Sequence, residues 1–134
     1  MRQIDLVEIL KEALDYLGCK PSIISNIDHH STIELTFESS PALLISFVDD
    51  NVVLWCQLVP VNPNVLVQCA PNIIEALIAE YEWAMNSQLQ LVAGSESYEL
   101  RTVVNPDFME SGEKFAIVLE SFFEIMQGFY KVLK

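Results

Sequence analysis

Hydrophobic positions along this chain repeat first at one period and then at another. Between residues 4 and 17, Ile4, Val7, Leu10, Leu14 and Leu17 recur at steps of three and four, with Glu8, Lys11, Glu12 and Asp15 between them. That spacing predicts an amphipathic helix over 4–17. Gly18 accepts a left-handed cap conformation and Pro21 cannot extend a helix, so the pattern stops there. The period then drops to two. The stretch "STIELTFE" (31–38) sets Ile33, Leu35 and Phe37 on one face and Thr32, Glu34, Thr36 and Glu38 on the other, as a strand does. "ALLISFV" (42–48) is apolar almost throughout, which predicts a strand covered on both faces. Asp49-Asp50-Asn51 is a tight-hairpin signal, and "VVLWCQL" (52–58) forms the returning strand.

The second half repeats the alternation of periods. "VPVNPN" (59–64) carries two prolines and is expected to break regular structure. A second helix is expected from about Ala70 to Asn86, with Pro71 in its first turn. "QLQLVA" (88–93), a turn at Gly94-Ser95-Glu96-Ser97 and "YELRTVV" (98–104) read as a hairpin that ends at Asn105-Pro106-Asp107. Ser111 is a good N-cap for a last helix, with Glu113 placed well against the helix dipole. Phe115, Val118, Leu119, Phe122, Met126, Phe129 and Leu133 form one apolar stripe along it. The element order is therefore α-β-β-β-α-β-β-α. Hairpin-length connections make this an α+β fold, a mostly antiparallel five-stranded twisted sheet with three helices. The 134 residues fit one domain over 1–134, with no repeat or linker.

The second helix carries the clearest expectation about partners. Its core stripe reads as Ile73, Ile74, Leu77, Ile78, Tyr81 and Met85. At about 100° per residue, Ala76, Ala79 and Trp83 fall on the opposite side, where a monomer should be charged. Small residues admit a neighbouring helix and tryptophan buries a large area at interfaces. A helix-to-helix homodimer contact through Asn72, Ala76, Ala79 and Trp83 is expected.

Composition strengthens that expectation. Hydrophobic residues make up 51% of the chain, more than one core of this size should need. The surplus calls for a partner subunit or an apolar ligand. The net charge of −12 comes from 19 acidic and 7 scattered basic residues, so neither nucleic acid nor an anionic membrane is an expected partner. "MRQIDLVEIL" lacks the apolar block of a signal peptide. Three cysteines without a CxxC pair argue against a disulfide framework or structural zinc. A reduced, cytoplasmic protein is expected.

Candidate chemistry is sparse. Asp28-His29-His30 resembles the start of the DHH phosphoesterase signature, and a small metal-dependent hydrolase using Asp28 and His30 is the reading it would support. The chain has no third histidine, and adjacent side chains on an extended segment point to opposite faces. A polar turn fits the triplet better. Cys56 lies in an apolar strand where a thiol is inert, and Cys19 follows a helix cap without a defined role. No GxSxG elbow or phosphate-cradling glycine loop occurs. The expectation is no enzyme, no metal and no cofactor.

Four blocks carry a family resemblance: "GCKPSII" (18–24), "IDHHSTIEL" (27–35), "DDNVVLWCQL" (49–58) and "NPDFMESGEKFAIVLESFF" (105–123). In this order and at these separations the chain resembles the class IB type III secretion chaperones of the InvB/SpaK type, from about Ile4 to Lys131. The family pattern has serine at position 29, where this chain has histidine, while His30 matches. The resemblance implies the α+β secretion-chaperone fold and a homodimer to which the second helix contributes. It implies binding of unfolded N-terminal segments of several secreted effectors, and delivery to the secretion ATPase. It implies no catalytic residue. A client could add a strand to a sheet edge and place apolar side chains between the first helix and the sheet. Leu6, Ile9, Leu10, Ile33, Leu35, Phe37, Leu44 and Val53 are the expected contacts. The alternative is a dimeric regulatory module that sequesters a folded partner.

Overall fold

The computed structural model describes residues 5–19 and 32–134. The Asp28-His29-His30 triplet lies outside the described residues. The elements run α1 (Leu6–Tyr16), β1 (Ile33–Leu35), β2 (Leu43–Val48), β3 (Asn51–Pro60), α2 (Pro63–Ile78), β4 (Gln90–Ala93), β5 (Ser97–Val103) and α3 (Gly112–Leu133), with short 3₁₀ turns at Met85–Ser87 and Pro106–Met109.

Local chemistry explains the ends of α1. The Asp5 carboxylate accepts the Glu8 backbone N–H at 3.2 Å, closing the N-terminus. At the other end Gly18 takes φ +75°. Its N–H reaches the Asp15 carbonyl while the Cys19 N–H reaches that of Leu14. This paired closure needs a residue at ease in the left-handed region. The β2–β3 hairpin turns on Asp49 and Asp50, both left-handed at φ 50° and 65°. Two such residues make the turn whose twist matches the strands, and aspartate tolerates it.

The strands form one five-stranded antiparallel sheet in the order β1-β2-β3-β5-β4. Its two faces differ. Ile33, Leu35, Leu43, Ile45, Val52, Leu54, Cys56, Leu58, Tyr98 and Leu100 point to one side and are buried. Leu44, Ser46, Val53, Trp55 and Val103 point to the other and stay half-exposed. The expectation that β2 is covered on both faces is corrected here: the described residues cover only one.

The buried face carries α3, whose Phe115, Val118, Leu119, Phe122, Met126, Phe129 and Leu133 are all buried, as the stripe predicts. Ser111 caps it by accepting the Lys114 N–H at 3.2 Å. Helix α1 packs along α3 with Leu6, Leu10, Ala13 and Leu14 buried. The two meet most closely at Gly112, where an added Cβ would lie 2.2 Å from the Glu12 Cβ. The Glu12 carboxylate accepts the Gly112 N–H at 3.2 Å, satisfying a free donor in the first turn of α3.

Helix α2 departs from its expected bounds at both ends. It starts at Pro63 because Asn62 caps it, accepting the Val65 N–H, and proline suits the first helical position. Pro71 is interior, not N-terminal. It offers no N–H to the Val67 carbonyl one turn back, on the exposed side of the helix. The helix stops at Ile78 because Ala79 is extended, and the Tyr81 hydroxyl donates to the Ala76 carbonyl at 2.7 Å.

Candidate functional site

The expected core stripe of α2 is covered only in part. Ile73 is its one fully buried residue, facing α3. Val67, Pro71, Ile74 and Ile78 recur at steps of four, three and four and lie within about a sixth of a turn of one another. All four are exposed, Val67 at 74%, Ile74 at 53% and Ile78 at 73%. Ile74 and Ile78, expected in the core, therefore form the bare apolar stripe. Asn72 and Ala76, expected on the partner face, line a groove of about 220 Å³ against α3 together with Ile125, Gly128, Phe129 and Val132. Ala79 lies just past the helix end and is exposed.

Trp83 is also corrected. It does not sit on an exposed helix face but beyond the helix, at 6% exposure in the chain's own core. Its ring packs on Tyr81 with centroids 5.4 Å apart. Its carbonyl accepts the Asn105 N–H at 2.8 Å, tying this segment to the end of β5.

The eight expected client contacts separate into three groups. Leu6, Leu10, Ile33 and Leu35 are core residues filled by α1, α3 and the sheet, so no groove opens at them. Ile9 is half-buried against that core, and Phe37 is 37% exposed just past β1. The Phe37 ring meets Phe123 of α3 at 4.4 Å between centroids, an aromatic pair at the β1 side of the sheet. Leu44 and Val53 point away from both, onto the open face of the sheet. No single groove between α1 and the sheet gathers all eight.

The open face is ordered by its own hydrogen bonds. The Trp55 indole N–H donates to the Ser46 hydroxyl at 2.9 Å, and that oxygen lies 2.9 Å from the Thr32 hydroxyl. Arg101, opposite Trp55 in the β3–β5 register, forms an ion pair with Glu99.

Catalytic chemistry finds little footing. Among the described residues no cluster of histidine, cysteine and carboxylate side chains has the composition to hold a metal ion. Burial pushes the Cys56 thiol up to about 12, so it is not a nucleophile at neutral pH. The Cys69 thiol donates to the Val132 carbonyl at 3.1 Å and ties α2 to α3. No helix among the described residues is long and apolar enough to cross a membrane.

Residues 18–95 match the model of the Invasion protein B family, more than half of the chain. The surface presentation of antigens protein SpaK of Salmonella typhimurium is 36% identical over 133 residues, covering 99% of this chain and 98% of that protein. The chain belongs to the Invasion protein B family. SpaK of Salmonella typhi matches to the same extent. A chain of the solved HopA1-SchA chaperone–effector complex shares the fold, with a TM-score of 0.57 and 19% identity over 92% of this chain and 91% of that one. Family membership agrees with the four sequence blocks and makes the protein a type III secretion chaperone, not an enzyme.

The exposed α2 stripe, the Phe37–Phe123 pair and the Trp55 face are three separate apolar features on the described residues. Sequence reasoning missed Val67, Phe123 and Trp55 as surface features. A signal for the first was present: asparagine followed by proline at 62–63 is a helix start, and a helix that begins there includes Val67.

Proposed function

We propose that the protein holds unfolded N-terminal segments of secreted effectors in the bacterial cytoplasm, keeps them competent for export and presents them to the secretion ATPase, working as a homodimer of one-domain subunits. The observation that carries this reading is the apolar surface that remains bare after the core is filled. The stripe Val67, Pro71, Ile74 and Ile78 on α2 suits a second copy, because a straight row of branched side chains packs well against its own twin. The Asn72–Ala76 groove beside it lets a neighbouring side chain approach the α2–α3 seam next to Gly128.

The client side rests on Phe37 and Phe123, with the half-buried Ile9 of α1 as a further expected contact. Among the described residues β1 is a short edge strand with one neighbour, so an extended segment can add to it through backbone bonds while an apolar side chain covers the phenylalanines. A disordered client loses chain entropy on binding and needs a broad surface to offset that loss. Backbone pairing tolerates several sequences, which suits a chaperone of more than one effector.

Co-expression of the chain with the first ~100 residues of an effector from the same organism tests the reading; an extended segment of that length spans the subunit several times over. The segment is expected to co-purify and, under limited proteolysis, to be protected over one stretch while remaining without a fold of its own. Equal binding of an effector that lacks this segment would refute the reading.

A further inference from the structure

The open face of the sheet carries a row of side chains, one from each strand: Glu34, Leu44, Trp55, Arg101 and Gln90 stand opposite one another in register across β1, β2, β3, β5 and β4. Trp55 is the unusual member. A half-exposed tryptophan normally turns its indole N–H to water, but this one gives it to Ser46, which is itself fixed to Thr32. The ring is locked before any partner arrives and shows only its apolar surface. An aromatic anchor that is already immobilised loses little entropy on binding.

Beside it lies a recess of about 240 Å³ lined by Glu34, Pro41, Ala42, Leu44 and Gln57. Its lining combines the apolar Pro41, Ala42 and Leu44 with one carboxylate and one amide. The cation on this face, Arg101, is taken up by Glu99, whereas Glu34 has no ion-pair partner among the described residues. A shallow recess with apolar and polar walls, beside a carboxylate that pairs with no cation among the described residues, matches a long side chain with an alkyl stem and a positive head.

We infer that this face reads an arginine or lysine flanked by an apolar residue in the bound segment of a partner protein, the cation on Glu34 and the apolar neighbour on Trp55. The inference rests on the proposed client binding and names the chemistry that selects the client. A second copy of the chain is a poor occupant. It carries −12 net charge and 7 basic residues in 134, and Arg101 and Lys114 already pair within the subunit. Like-charged surfaces of this size repel, while a basic segment is attracted.

The test uses the full-length protein, nitrogen-15 labelled, titrated with leucine-flanked pentapeptides that differ in one central residue, arginine or glutamine. The two tryptophan indole signals are assigned with Trp55→Phe. The arginine peptide is expected to shift the Trp55 indole and the Glu34 amide and to bind at least fivefold more tightly than the glutamine peptide. Glu34→Gln should reduce the arginine peptide to the level of the glutamine peptide and leave the latter unchanged. Equal binding of both peptides, or shifts confined to residues around Phe37, would overturn the inference. So would a Trp55 indole signal that moves on dilution without peptide, because a second copy would then occupy the face. Co-purification of the effector segment, run in parallel, separates the two levels. A segment that binds wild-type and Glu34→Gln with Trp55→Ala equally well removes this inference and leaves the chaperone reading standing. A segment that binds neither, with the peptide preference intact, does the reverse.

Discussion

Helices α2 and α3 look alike in composition but do opposite work. Both are rich in large apolar residues. In α3 these residues fall on one stripe, and the fold buries the stripe from Phe115 to Leu133. In α2 they are spread around the helix, and the fold buries Ile73 while leaving Val67, Ile74 and Ile78 bare. The difference teaches that an apolar pattern shows a side chain will be covered, but not by which chain. A stripe with a polar opposite face is covered from within. A helix that is apolar on nearly all sides keeps part of that surface bare in the single chain.

The largest effect that sharpens this contrast should come from the core. Phe122→Ala on α3 removes a fully buried ring and should cost about 3–5 kcal/mol in urea unfolding. Trp83→Ala should fall in the same range, because the indole belongs to the chain's own core; a loss below about 1 kcal/mol would return Trp83 to the surface. Next comes the α1–α3 contact. Gly112→Ala places a methyl against Glu12, so α1 must move, and a loss of about 1–3 kcal/mol is expected by the same measurement.

A third test reads the core through a proton. The Cys56 thiol sits at about 12 in the fold against 9.0 when free, with burial as the main cause. Above pH 9 the unfolded chain gives up this proton and the folded one keeps it, so the stabilisation is complete below pH 9 and declines as pH rises toward 12. Urea midpoints taken from pH 8 upward should fall, and Cys56→Ala should flatten that fall. The smallest effect on the subunit should come from α2. Ile78→Glu changes an exposed side chain and should alter the stability of the isolated subunit by no more than about 0.5 kcal/mol. The same variant should lower the mass in light scattering to that of one chain. A loss as large as that of Phe122→Ala would place Ile78 in the core and erase the contrast between the helices.

These two helices also mark how far the sequence is legible. The α3 stripe and its Ser111 cap are read correctly because period, cap residue and length agree with one another. The hairpin at Asp49-Asp50 and the α+β order follow for the same reason. Helix α2 is misread because local signals conflict: prolines at 60 and 63 suggest a break and Pro71 a first turn, whereas Asn62 and Pro63 together suggest a start. The earlier end at Ile78 leaves Trp83 outside the helix, and packing through Ile73 leaves Ile74 and Ile78 turned outward. The client surface is legible only in part. Alternation marks which side of a strand is apolar, but Ile33, Leu35, Leu44 and Val53 are all apolar, and only the packing of α1 and α3 decides which pair stays open. Phe37 announces its exposure by following β1 at the sheet edge, while Phe123 and Trp55 require the three-dimensional arrangement.

The central claim is that bare apolar surface is covered by a twin copy and by an unfolded segment of a secreted protein. Native mass measurement of the purified 15.2 kDa chain, alone and with an effector's N-terminal segment, tests it most directly. The account predicts a species of two chains that gains the segment on mixing and loses its dimer state in Ile78→Glu. A stable species of one chain that does not take up the segment would contradict it.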